Sequence, residues 1–149
     1  AVAGRARSSP DLVQTEISAD RIGLACHRDH PLAQSGGPIR LRDIDPTGVI
    51  HLSADTGTAQ LLAESAQVPA ALKSGPLRSH STIGQLCLVR AGAGVALLPR
   101  NAVLLFNDPN LRFVEGADLT IERRLYLLRP ARRALPRAAE IFLSALELG

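Results

Sequence analysis

The stretch from Ile83 to Pro99, IGQLCLVRAGAGVALLP, limits what this chain can fold into more than any other, because it reads as a helix, a glycine stop and a buried strand in immediate succession. Ile83, Leu86, Cys87 and Ala91 recur at helical spacing and predict the buried face of that helix. Gly92 and Gly94 allow the left-handed backbone that closes a helix. Val95 to Leu98 is a short apolar run ended by Pro99, which cannot donate to a sheet ladder. The order of these pieces excludes one function. Nucleotide-binding loops run strand, glycines, helix, so that helix N–H groups face the phosphates. Here the helix comes first, and Gly92 and Gly94 are punctuation.

A chain of 149 residues makes one domain or two small lobes, long enough to bury a core. Its apolar share of 46% points to a globular protein rather than a disordered one. No apolar run approaches the ~20 residues of a membrane span, and no charged-then-apolar leader opens the chain. The expectation is a cytoplasmic protein with no membrane partner. The chain begins at Ala1 and contains no Met, which reads as a piece of a longer product, and Ala1 to Pro10, with Arg5 and Arg7, reads as an opening that is flexible or torn from a larger structure.

Lys73 is the single exception among 17 basic residues that are otherwise Arg, a pattern that reflects coding bias as much as selected charge. A net charge of +3 supports no claim about nucleic acid. Six arginines cluster late, Arg123, Arg124, Arg129, Arg132, Arg133 and Arg137. Single-strand binding adds stacking aromatics, and that stretch holds only Tyr126, so a solvated strand end and loop is expected. Cys26 and Cys87 sit in apolar contexts and read as reduced core thiols. Cys26, His27 and His30 lack a second ligand pair at metal-site spacing, and His51 and His80 stand alone in sequence, so no metal is expected.

Read coarsely, strands and helices alternate. Arg21 to Cys26 predicts a strand, followed by a turn through Asp29 to Pro38 and a short helical turn at Leu41 to Ile44. Gly48 to Leu52 predicts a second strand and Ala59 to Gln67 a helix. Leu77 to His80 predicts a third strand, with Ser81 opening the next helix. After Pro99 come a short helix at Asn101 to Phe106, a turn at Asn107-Asp108-Pro109-Asn110, and strands at Leu111 to Val114 and Arg124 to Leu128. Pro136 starts a final amphipathic helix whose buried stripe is Ala138, Ile141, Phe142, Ala145 and Leu146. This alternation argues for α/β architecture with a largely parallel sheet.

Two strand-to-helix loops are rich in hydroxyls, Ser53-Ala54-Asp55-Thr56-Gly57-Thr58 and Ser79-His80-Ser81-Thr82. In an open α/β sheet, ligands settle beyond the carboxyl ends of strands, where helix N–H groups and hydroxyls bind a carboxylate or other anion. Capping explains either loop alone: Thr56 or Thr58 in the first, Ser81 or Thr82 in the second, with Gln85 completing a capping box after Thr82. Two such loops on successive units favour a shared ligand cleft. Catalysis finds no support. Gly-x-Ser-x-Gly is absent, and the alternation of His51, Ser53 and Asp55 does not set a base against a nucleophile. Asp43 and Asp45, around Ile44 and before Pro46, suit a surface turn.

RIGLACHRDHPLA at Arg21 to Ala33, followed by LRDI at Leu41 to Ile44, resembles the effector-binding domain of LysR-type transcriptional regulators. LVRAGAGVALLP at Leu88 to Pro99 is similar to that family's helix-turn-strand signature, and RRLYLLRPARRALPRAAEIFLSAL at Arg123 to Leu146 to its returning strand and closing helix. The ordered set spans roughly residues 11 to 148. The resemblance implies an α/β, two-lobed fold like that of type 2 periplasmic binding proteins, with a small-molecule effector between the lobes. Residues 1–19 would be part of lobe I or a linker, 20–118 a nearly complete lobe II, and 119–149 the return to lobe I. The opening part of lobe I and the DNA-binding winged helix-turn-helix are missing from the pattern. Loss of that opening part would uncover the sheet at Arg124 to Leu128 and the stripe of the last helix. Carried over, Ser53, Thr56 and Thr58 would line the cleft, with Ser81 and Thr82 beside them, while Gly92, Gly94 and Pro99 would be structural. The resemblance implies no enzyme and no cofactor, an effector such as a carboxylate, a homodimer or tetramer, and DNA contact only through the missing domain. A solute-binding protein of the same fold and an α/β enzyme are the alternatives; a leader peptide upstream would mark the first, a catalytic pair in the cleft the second.

Overall fold

The computed structural model describes residues 1–4 and 9–147. Arg5 and Arg7 of the opening lie outside the described residues. The chain divides into two compact units, a terminal one (Ala1–Ala19 and Arg124–Gly149) and a middle one (Asp20–Arg123).

In the middle unit, the second half of β2 (Leu12–His27) is flanked on both sides by antiparallel strands. It pairs with β5 (Ala96–Pro99) through Leu24↔Leu97, and with β6 (Leu111–Val114) through Leu24↔Val114. Across the sheet, a parallel bridge Val49↔Val95 leads to β3 (His51–Leu52), which pairs in parallel with β4 (Arg78–Ser79). The sheet is therefore mixed, not largely parallel. β5, α4 (Arg100–Phe106) and β6 do form a strand-helix-strand unit, but β2 inserts between its strands running the other way. Alternation along a sequence shows the crossover and is blind to what slides into it.

β2 is also longer than the predicted strand. Its first half, LVQTEISA, carries too many polar residues to register as an apolar run. Along the second half, side chains alternate between faces. Ile22, Leu24 and Cys26 join Val95 and Leu97 in one core cluster, whereas Ala25 joins Ala96 and Leu98 in the other. Gly23 falls on the Ala25 face, where a Cβ would run into the Phe113 ring.

The punctuation after α3 (Thr82–Arg90) uses its two glycines differently. Gly92 has φ +75 and closes the helix in the left-handed region. Gly94 is not left-handed; a Cβ there would overlap the Gly48 carbonyl, so it is required by the close approach of two backbones. The buried face of α3 is Gln85, Leu86 and Val89; of the predicted stripe only Leu86 is buried, and Ile83 and Cys87 are exposed. A buried glutamine is invisible to a hydrophobic period, so the stripe was set by the wrong neighbours. Cys26 is the core thiol, and burial pushes its pKa up to about 11 despite the nearby Arg112.

Other local differences have simple causes. The segment after β2 turns through α1 (Pro31–Gln34), with Pro31 in the first turn and His30 Nδ1 accepting from the Leu32 amide at 3.2 Å. Leu41–Asp43 is one 3-10 turn. Asp45 accepts from the Thr47 amide at 2.9 Å and from its hydroxyl, bonds that hold its carboxyl below the usual range. α2 (Gly57–Glu64) starts earlier than predicted because Thr56 caps it, and it ends three residues sooner. Pro99 offers α4 no side-chain cap; the buried carboxylate of Asp20 accepts from the Asn101 amide instead, at 3.2 and 3.1 Å.

In the terminal unit, β1 (Val2–Ala3) pairs antiparallel with β7 (Glu122–Pro130), and β7 lies beside β2. Val2 and Ala3, inside the opening read as flexible, are thus tied to Leu127 and Tyr126. α5 (Arg137–Glu147) does not bury the predicted stripe: Ala138 and Ala145 are exposed, Ile141 is 62% exposed, Phe142 50% and Leu146 39%. Leu143 faces Ile17 and Leu127 across an open groove of about 500 Å³. No helix among the described residues is long and apolar enough to cross a membrane.

Candidate functional site

Parallel pairing of β3 with β4 brings the two hydroxyl-rich loops side by side at the carboxyl ends of their strands. Beyond the last pair, Leu52↔Ser79, the Ser53 amide donates to the Ser79 carbonyl at 3.0 Å. The Ser53 hydroxyl lies 2.9 Å from His80 Nδ1 and 3.4 Å from the Ser79 carbonyl. One strand end therefore clasps the other.

Each loop then starts a helix. Thr56 donates its hydroxyl to the Ser53 carbonyl at 2.9 Å and accepts from the Ala59 amide at 3.2 Å, capping α2. Ser81 accepts from the Gly84 amide at 3.0 Å and caps α3. The predicted capping box is not formed: with Ser81 as the cap, Gln85 lies one residue too far along and instead donates to the Ile50 carbonyl. Helix geometry leaves the amides of Gly57, Thr58, Thr82 and Ile83 without partners among the described residues. Both helices thus direct spare donors and the positive ends of their dipoles to this end of the sheet.

The five predicted residues fall into three groups. Thr56 and Ser81 already have hydrogen bonds as caps. Ser53 is held against His80. Thr58 is buried in the first turn of α2 and Thr82 half-buried in that of α3, and neither hydroxyl has a hydrogen-bond partner among the described residues. His80 is the residue missed. Its signal was the pairing itself: once β3 and β4 are aligned, Ser53 and His80 must meet, though 27 positions separate them.

The Ser53–His80 pair does not make a nucleophile. Activation needs a group that orients the other imidazole nitrogen, and no carboxylate bonds to His80 among the described residues. A metal reading fares no better. His27 and His30 each use Nδ1 to accept a local amide, and no group of three His, Cys, Asp or Glu is placed to hold an ion among the described residues. Beside the first loop is a recess of about 250 Å³ lined by His51, Ala54, Gln60, Glu64, Lys73 and Arg78.

The family profile described as the LysR substrate binding domain matches residues 1–148. Among solved structures, the chain is similar to the Synechocystis PCC6803 CcmR regulatory domain in complex with 2-PG, at 19% identity and TM-score 0.78, covering 99% of this chain and 71% of that one. It is similar to the effector binding domain of QuiR in complex with shikimate, at 18% identity and TM-score 0.75, covering 99% and 70%. It also resembles the reduced OxyR regulatory domain from Pseudomonas aeruginosa, at 17% identity and TM-score 0.80, covering 99% and 71%. No curated protein matches the sequence.

Proposed function

Since this chain belongs to the LysR substrate binding domain family, we propose that it senses a small anionic effector, of the carboxylate class, through the paired loops at the ends of β3 and β4. It is a LysR-type effector-binding regulatory domain with the periplasmic-binding-protein type 2-like fold, and not an enzyme; the solute-binding alternative is not favoured by the family match. In this reading Ser53, Thr56, Thr58, Ser81 and Thr82 contact the effector. Residues 1–19 and 119–149 belong to one lobe and 20–118 to the other.

The observation that carries the proposal is the clasp between Ser53 and the Ser79–His80 segment, which gathers the leftover first-turn donors of α2 and α3 at one place. Amide donors and hydroxyls at helix N-termini suit a carboxylate guest. The shikimate held by the QuiR domain belongs to that chemical class. Sensing works by population shift. An effector that binds one conformation better biases a homodimer or tetramer, and a winged helix-turn-helix elsewhere in the regulator changes its hold on DNA, in the cytoplasm.

Thermal melting against a panel of aliphatic and aromatic carboxylates, amino acids and phosphates tests this. A saturable rise in Tm with one carboxylate, reduced in Ser53→Ala and Thr58→Val at matched concentration, is expected by mass action. A cooperative melt that no carboxylate shifts, or variants that respond like the parent, would sink the reading.

A further inference from the structure

Alongside β3 lies a small, partly open recess of about 30 Å³, bordered by Val49, His51, Leu62, Leu72, Lys73 and Gln85. Gln85 is 2% exposed. Its Nε2 donates to the Ile50 carbonyl, which fixes the sense of the amide, because the flipped group would set one acceptor against another. Oε1 is thereby directed elsewhere and has no partner among the described residues. His51 Nε2 is also sealed from solvent without a partner. The turn at Gly75 closes over it so tightly that a Cβ there would lie 2.8 Å from the nitrogen.

We infer that this recess is a hydration site, in which buried water bridges Gln85 Oε1 and His51 Nε2. The volume suits that occupant, since a water takes roughly 10–15 Å³ of such space. An apolar guest would leave both atoms unsatisfied. Water satisfies both, donating to the amide oxygen and either donating to or accepting from the imidazole nitrogen. Burial, with Arg78 nearby, holds the His51 pKa below its ordinary value, which keeps the ring neutral and able to take either role. The bridge links β3, which runs into the Ser53 loop, to the first turn of α3, which follows the Ser81 loop. It needs no effector.

A high-resolution crystal structure of the 149-residue chain tests this directly. The expected result is an ordered water within hydrogen-bond distance of both atoms. A dry recess, a water bound to only one of them, or direct contact between the two side chains would overturn it. A double-mutant cycle gives a second reading. His51→Phe and Gln85→Met should each lower Tm, and the double variant should lose less than the sum, because both single changes break the same bridge. Strictly additive losses would refute the bridge.

Discussion

All the buried hydrophobic residues described lie between Ile22 and Ile121, inside the middle unit, and none lies in the terminal one. Yet the terminal unit contains the most regular apolar stripe in the sequence, that of α5. The middle unit builds its core from pieces with weak periodic signals: four-residue strands, a helix with a buried glutamine, and glycines pressed against other backbones. Periodicity tells which face of an element wants cover. It does not tell whether anything covers it, and stability follows the covering.

The largest expected effect separates the units most sharply. Leu98→Ala opens a cavity beside fully buried neighbours and should cost about 2–5 kcal/mol by denaturant melting. Phe142→Ala should cost less than about 1 kcal/mol, because the ring is already half in water. Equal losses would break the contrast. Gly94→Ala should also be severe, since something must give way around the Gly48 carbonyl, and the melt should show at least ~2 kcal/mol of destabilisation. A smaller loss, about 0.5–2 kcal/mol, is expected for Ser81→Ala through the lost α3 cap, recoverable in large part by Ser81→Asp.

Acidity should produce the gentlest change. His51 holds its proton less readily in the folded chain than in the unfolded one. Stability is therefore fully present above the unfolded value, about pH 6.5, and declines as pH falls through the lower folded value. His51→Phe should flatten that decline in melting curves recorded from about pH 7 down to pH 5. An unchanged slope would assign the acid sensitivity to other groups.

What the sequence made legible was local. Gly92 as a helix stop, Pro99 as a strand end, the Leu41 turn and the presence of both hydroxyl loops all depend on neighbours within a few residues. What escaped it depends on residues far apart. Ser53 meets His80 only through the register of β3 and β4. Gly94 is required by Gly48, and the antiparallel neighbours of β2 arrive from the other end of the middle unit. Gln85 reads in sequence as the partner of Thr82 in a capping box because its real partner, the Ile50 carbonyl, lies 35 positions away.

The cap of α4 follows the same logic and reaches further. Asp20 supplies the acceptor for the helix's first turn from 81 residues upstream. A peptide cut from Ala96 to Asn110 would hold every residue of that helix and lack the group that starts it, so it should stay largely unwound in water. The first turn of α4 gains this acceptor only once β2 is docked, and Asp20→Asn would serve as a kinetic probe of that step.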